Sequence, residues 1–160
     1  MNSEKDGRYI TFSLGNQQHA IPLLQAKEFI GVTEATPVPQ TADYFEGIIN
    51  LRGQIISVFD LRAKLRLPKA GRKQGNNEAS IIILNFDNIQ IGMIVDSINS
   101  VLALTDEELG PLPTIEQTGQ EKYVVGVARK DSRLTLILDI GALLNVQDFE
   151  ALENSSKKAA

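Results

Sequence analysis

The chain reads as mainly β: two small five-stranded barrels in tandem, related by an internal duplication and trimmed with short helices. Three observations predict this. GIINLRGQIISVFDLRAKL at Gly47 to Leu65 is echoed at an offset of 79 by GVARKDSRLTLILDIGALL at Gly126 to Leu144, aligning Gly47 with Gly126, Asp60 with Asp139, Ala63 with Ala142 and Leu65 with Leu144. Self-similarity at so long a spacing marks a duplicated folding unit. Short apolar or alternating segments are separated by tight turns, as in small closed or nearly closed sheets. Finally, IISVF (Ile55 to Phe59) and LTLIL (Leu134 to Leu138) are apolar on both faces. One face fills a barrel, and the other needs a second surface, which the sister barrel supplies.

Tyr9 to Leu14 sets Ile10, Phe12 and Leu14 against Tyr9, Thr11 and Ser13, the period of a half-buried strand. Gly15-Asn16 turns the chain into a second strand, Gln18 to Pro22, and Leu23 to Glu28 follows as a helical turn or a continued strand. Pro37 to Pro39 is a loop. A hairpin then runs from Gly47 to Leu51 and from Gln54 to Asp60, with Arg52-Gly53 at its tip and a short helix, Leu61 to Leu65, behind it. The second half repeats the order. Ile81 to Phe86 and Gln90 to Val95 pair across Asp87-Asn88 and match the first two strands at an offset of 72. Ser97 to Leu104 is a strand, and Thr105 to Glu108 is a capping box that starts a helical turn. Pro111 and Pro113 echo Pro37 and Pro39, Tyr123 to Arg129 pairs with Arg133 to Asp139, and Ile140 to Asn145 is the second short helix. The whole is a single domain over 8–150 made of two lobes, roughly 15–78 and 79–145. The strand at 9–14 pairs with either lobe, and 1–7 and 154–160 are expected to be disordered tails.

The totals narrow the function. There is no cysteine, so disulfides and thiolate metal sites are absent and a reducing compartment is expected. Nothing at the N-terminus resembles a signal peptide, and the longest apolar run, Ile81 to Leu84, is far too short to span a membrane. A net charge of −4 disfavours binding to a phosphate backbone. The one basic cluster, Arg66, Lys69, Arg72 and Lys73, reads as a solvated connector.

Candidate chemistry is sparse. His19 is the single histidine, so Ser/His/Asp and multi-histidine constellations are excluded, and a strand position on the face of Ile21 makes it a partly covered strand residue. Asp60 and Asp139 each follow an apolar strand and precede a short helix, where an aspartate caps exposed N–H groups. Asp96 suits a turn. Neither GxGxxG nor GxxxxGK[ST] is present, nor is the acidic calcium-loop spacing. An enzyme is not expected.

What both copies share is architecture, and what only one carries points to function. The first hairpin tip is Asn50-Leu51-Arg52-Gly53, against Arg129-Lys130-Asp131-Ser132 in the second. Asn50 and Gly53 suit the tight turn, whereas Arg52 adds a planar donor fork fitted to a carboxylate or to backbone carbonyls. Glu28, whose counterpart is Ser100, is the second such residue.

Glu28-Phe29, Thr36-Pro37-Val38-Pro39, Gly47-Ile48-Ile49-Asn50-Leu51-Arg52-Gly53 and Asp60-Leu61-Arg62, continuing through Ile94-Val95-Asp96, Val101-Leu102, Tyr123, Gly126, Leu136-Ile137-Leu138 and Leu143-Leu144, closely resemble the CheW family of chemotaxis coupling proteins over residues 8 to 150. The resemblance implies two SH3-like barrels with a hydrophobic groove between them, no catalysis and no cofactor. The partners it implies are a CheA-type histidine kinase, through its regulatory domain, and the cytoplasmic tips of chemoreceptors. Neither nucleic acid nor direct membrane insertion is implied, and the protein is expected in the cytoplasm, recruited to receptor arrays. Carried onto this chain, receptor binding and coupling fall to Glu28 and Arg52, with Asn50, Gly53 and Gly47 shaping the loop; the kinase contact is left unassigned. Many relatives carry proline where this chain has Ser57, which would suit an edge strand. Alternatives are an adaptor of a pilus-motility or other chemosensory pathway and, from other classes, a small-barrel nucleic-acid binder or a small-molecule-binding or catalytic barrel.

Overall fold

Period-two segments and tight turns produce eleven strands and little helix in the computed structural model, which describes residues 7–39, 43–65, 67, 79–86, 89–111, 123–130 and 132–144. In chain order the elements are β1 (Arg8–Leu14), β2 (Gln17–Pro22), a 3₁₀ turn (Leu23–Gln25), β3 (Ala26–Gly31), β4 (Phe45–Leu51), β5 (Gln54–Asp60), α1 (Leu61–Lys64), β6 (Ser80–Phe86), β7 (Ile89–Val95), β8 (Ser97–Ala103), β9 (Leu109–Gly110), β10 (Val124–Lys130), β11 (Arg133–Leu138) and α2 (Ile140–Leu143). The segment after β2 resolves into both of its expected forms, the turn and then a strand. Thr105 to Glu108 closes a turn rather than a helix: the Thr105 N–H donates to the Glu108 carboxylate at 2.9 Å. The basic cluster, the Asp87-Asn88 turn and the tails, apart from Gly7, lie outside the described residues.

The strands form two sheets, a six-stranded one in the order β8-β1-β2-β11-β10-β9 and a five-stranded one in the order β3-β6-β7-β5-β4. The contiguous lobes 15–78 and 79–145 are therefore not the units of the fold. Each sheet combines the leading hairpin of one repeat with the later strands of the other, and β1, the strand at 9–14, joins second-half strands through β8. Two parallel pairings make the exchange: β2 with β11, where His19 faces Leu136, and β7 with β5, where Ile91 faces Ser57. These residue pairs are equivalent in the repeat, so the register is copied along with the sequence. A repeat reveals which strands are alike, but local periodicity carries no information about which hairpin completes which sheet. Ser57 also departs from the edge-strand expectation, because β5 lies between β7 and β4.

The exchange explains the doubly apolar strands. Ile56 and Val58 of β5 pack into a cluster with Ile49, Ile81, Ile83 and Ile94 inside the five-stranded sheet, while Phe59 turns to a central core. In β11, Ile137 packs within the six-stranded sheet and Leu138 faces the centre. The central core draws Ile10, Phe12 and Ile21 from one sheet, Ile82, Ile91 and Met93 from the other, and both short helices. Packed side chains from both sheets meet in this shared core.

Each sheet curls until its edges meet. In the five-stranded sheet, the N–H and C=O of Thr36 exchange hydrogen bonds of 2.8 and 2.9 Å with Ile48 of β4, joining the chain beyond edge strand β3 to the opposite edge. In the six-stranded sheet, Lys130 Nζ donates to the Ala103 carbonyl at 2.7 Å and lies 3.7 Å from the Glu108 carboxylate.

Candidate functional site

The β4–β5 hairpin turns over Arg52 and Gly53, whose φ angles are 53° and 87°. Positive φ at both central positions matches the twist of paired strands. Asn50 secures the turn from beneath, its Oδ1 accepting the Gly53 N–H at 2.9 Å. An arginine in the left-handed region costs about 1 kcal/mol that a glycine would not. Ser132, the counterpart of Gly53 at the tip of the sister hairpin, has φ of 65°, so a left-handed residue at that turn position belongs to the architecture. The arginine side chain is what the first copy adds.

That side chain meets the other sequence-selected residue. Arg52 Nη2 donates to Glu28 Oε1 as an ion pair, linking the hairpin tip to edge strand β3. The Arg52 side chain is 67% exposed and that of Glu28 27%, so the pair contributes at most about 1 kcal/mol to stability. Its charged fork stays accessible. Gly47 lies elsewhere: it sits near the start of β4, at a bulge beside Phe45, rather than at the tip. Its φ is 138°, and a Cβ there would come within 2.2 Å of the Thr36 carbonyl oxygen. Gly126 occupies the matching bulge in β10. Gly47 therefore lets the sheet edge close, and its link to Arg52 runs through the strand.

The capping reading holds in both copies. Asp60 Oδ1 accepts the Arg62 N–H at 3.0 Å and Asp139 Oδ1 accepts the Gly141 N–H at 2.9 Å. Two features escaped the sequence reading. Asp96 Oδ2 accepts from Arg62 Nη1 at 2.6 Å and from the Gly15 N–H at 2.7 Å, making it more than a turn residue. Lys64 places its ammonium 4.4 Å from the ring centre of Tyr44 and 5.6 Å from that of Tyr123, two tyrosines that are equivalent in the repeat. A signal for the first existed: the counterparts of Arg62 and Asp96 are Gly141 and Leu24, so both pass the single-copy test that selected Arg52 and Glu28.

Residues 8–148 match the CheW-like domain. The chain belongs to the CheW-like family. It is similar to the chemotaxis protein CheW of Klebsiella aerogenes, 32% identical over 149 residues covering 93% of this chain and 88% of that one. CheW of Bacillus subtilis is 30% identical over 144 residues, 90% of each. Among solved structures, the scaffolding protein CheW of Thermoanaerobacter tengcongensis superposes with a TM-score of 0.77 at 28% identity, covering 89% of this chain and 94% of that one.

In this CheW-like chain, exposed apolar residues recur at equivalent places. Phe29 on β3 and Val101 on β8 match at an offset of 72, as Ile55 on β5 and Leu134 on β11 do at 79. Leu24 and Val32 flank β3 and are also exposed. A concavity of about 510 Å³ lies on the six-stranded sheet, floored by Val127, Leu134 and Leu136 and rimmed by Glu107, Glu108 and Arg129. The Glu28–Arg52 pair belongs to the other sheet. His19 is buried, stacked 6.1 Å from Phe12, and its Nδ1 has no partner among the described residues. Burial pushes its pKa down to about 4, against a smaller upward pull from a hydrogen bond with the Gln17 backbone. A histidine so enclosed is packing. Among the described residues, no group of three His, Cys, Asp or Glu side chains is arranged to hold a metal, and no helix is long and apolar enough to cross a membrane.

Proposed function

We propose that this chain is a non-catalytic adaptor that couples the cytoplasmic tips of chemoreceptors to a CheA-type histidine kinase in chemotaxis signalling arrays. Membership of the CheW-like family across 8–148 carries the reading. The Glu28–Arg52 pair supports the site assignment: two residues 24 positions apart, selected because one repeat carries them and the other does not, hydrogen-bond to each other on an accessible edge. Arg52 offers a planar fork for a receptor carboxylate or helix-end carbonyls, Glu28 orients it, and Asn50 and Gly53 hold the tip, with Gly47 setting the strand beneath. Exposed Phe29 and Val32, on and beside the strand that carries Glu28, supply the apolar contact that an amphipathic receptor helix needs. The protein acts in the cytoplasm and reaches the membrane through its partners. The net charge of −4 weighs against nucleic acid.

Signal passes by positioning: receptor changes at the docking surface alter how the kinase domain sits, which requires unequal contacts in the two signalling states. The test is kinase autophosphorylation in a reconstituted receptor–kinase mixture. Arg52→Ala and Glu28→Lys lower receptor-dependent activation about tenfold, the effect of removing one interface anchor, with melting midpoints held near that of the parent. Normal activation by both variants overturns the site assignment. Failure of the parent chain to bind the kinase domain or raise its activity overturns the adaptor reading.

A further inference from the structure

Among the described strands the chain passes between the sheets twice, from β2 to β3 and from β7 to β8. Any change in the angle between the sheets must be absorbed at those crossings and in the core they flank. The crossings are equivalent in the repeat, Leu24 at the first matching Asp96 at the second, yet they are built differently. The first is the 3₁₀ turn Leu23–Gln25, which has no side-chain cap; Leu24 is 58% exposed there, and Gln25 Oε1 is buried without a partner among the described residues. At the second, Asp96 fastens three things. Its N–H donates to the Ser13 carbonyl at 3.1 Å, and its carboxylate accepts from the Gly15 N–H at 2.7 Å and from Arg62 Nη1 at 2.6 Å. Ser13 and Gly15 belong to the β1–β2 hairpin of the six-stranded sheet, whereas Arg62 lies on α1, which follows β5 of the five-stranded sheet.

We propose that Arg62 and Asp96 are positioning residues, a pin that fixes the angle between the two sheets where the chain crosses. The Arg62 side chain is 5% and that of Asp96 13% exposed, so the pair is little screened, and breaking it leaves a nearly buried charge that the fold must relieve by moving. Among the described residues the opposite crossing shows no such device, and Gly141 stands where Arg62 would be. The pin makes the two sheets one rigid piece at one end and leaves the other end freer. Its importance for signalling rests on the adaptor reading, since a scaffold relays position only as faithfully as its halves hold their angle. Its existence does not.

The chain has no native cysteine, so spin labels can be placed at Lys27→Cys on β3 and Val125→Cys on β10, both exposed, and the inter-sheet distance distribution read by pulsed dipolar spectroscopy on the isolated protein. The parent gives a narrow distribution. Asp96→Ala shifts or broadens it by about 1–2 Å, the scale of interface shear, while Leu24→Ala at the other crossing leaves it unchanged. Should Asp96→Ala fail to fold, Arg62→Lys decides, retaining the charge but losing the fork, with broadening expected. An unchanged distribution in a folded pin variant, or equal broadening by Leu24→Ala, overturns the proposal. No partner is present in the measurement, so its result is separate from the fate of the adaptor reading.

Discussion

The two curled sheets share caps, bulges and register, yet fill their interiors differently. Inside the five-stranded sheet, Ile83 and Ile56 belong to an aliphatic cluster. Their counterparts in the six-stranded sheet are Thr11 and Thr135, and there an apolar cluster around Ile137 shares the interior with hydrogen bonds that run out to exposed Asn99, Ser100 and Arg133. Gln18 Nε2 donates to Thr135 Oγ1 at 2.8 Å, Asn99 Nδ2 and Arg133 Nη1 both donate to Gln18 Oε1 at 2.9 Å, and Thr11 Oγ1 donates to the Ser100 carbonyl at 2.9 Å. Buried polar groups are tolerable only when satisfied, and Thr11, Gln18 and Thr135, the buried members, each have a partner. The difference teaches that the duplicated backbone constrains where the chain must turn and approach itself, and leaves open what fills the space between. The sheet with the stiff aliphatic interior is the one that carries Glu28 and Arg52.

The sharpest way to break the equivalence is at the paired bulge glycines. A Cβ on Gly47 would lie 2.2 Å from the Thr36 carbonyl oxygen, at a φ of 138°, whereas on Gly126 it would lie 3.0 Å from the Gly110 carbonyl oxygen. Backbone cannot yield as a side chain end can. Gly47→Ala is expected to cost roughly 4 kcal/mol or to prevent folding, and Gly126→Ala about 1 kcal/mol; urea melts of the two variants compare them directly. Equal losses would mean that the edges close by different geometry.

The equivalent residues His19 and Ile91 give the next largest contrast. His19 holds its pKa near 4, chiefly through burial, while the unfolded chain takes up its proton near pH 6.5. The unfolded state therefore binds more protons between those values. Stability is full above pH 6.5, falls as pH drops toward 4, and loses about 3 kcal/mol across the window. His19→Ile, which places the Ile91 residue type in the sister position, removes that part of the slope in denaturant midpoints measured from pH 7 to 4.

This contrast marks where sequence reading succeeds. Strand positions, hairpin tips and the aspartate caps were legible because each depends on a few adjacent residues whose periodicity or hydrogen-bonding reach is local. Arg52 and Glu28 stood out as single-copy residues because the duplicate acted as a control, and what the structure adds is the ion pair between them. Pairing between hairpins was not, since Thr135 facing Gln18 in a parallel pair depends on a connection of over a hundred residues. Nor was the deep burial of His19, or the Asp96 pin, which joins the β1–β2 hairpin to Arg62, segments far apart in the chain. The bulge role of Gly47 was hidden for the same reason: its constraint is the Thr36 carbonyl, which arrives from another part of the chain.

The caps sharpen the comparison from the other side, as a place where the copies should behave alike. Asp139→Ala removes one acceptor for the Gly141 N–H and is expected to lower stability by about 1 kcal/mol. Asp60→Ala should cost at least as much, because its carboxylate is more deeply buried. Thermal melts of each variant and of the double variant test this, with near-additive losses expected for sites acting separately.

The smallest effect isolates the ion pair. Ser132 and Arg52, at different positions of their hairpin tips, both hold positive φ in the left-handed region, so glycine at either position relieves backbone strain of up to about 1 kcal/mol. Ser132→Gly is therefore expected to stabilise the protein. Arg52→Gly gains the same relief but loses the contact with Glu28, worth at most about 1 kcal/mol at this exposure, and its net change should lie near zero. The stability gap between the two variants then reads the ion pair, and it should shrink in 1 M salt, where exposed charges are screened. A gap that persists at high salt would assign the difference to the turns themselves, and the Glu28–Arg52 contact would contribute nothing to folding. In that case the role of Arg52 would rest on partner binding alone, measurable as lost kinase activation in the same Arg52→Gly variant.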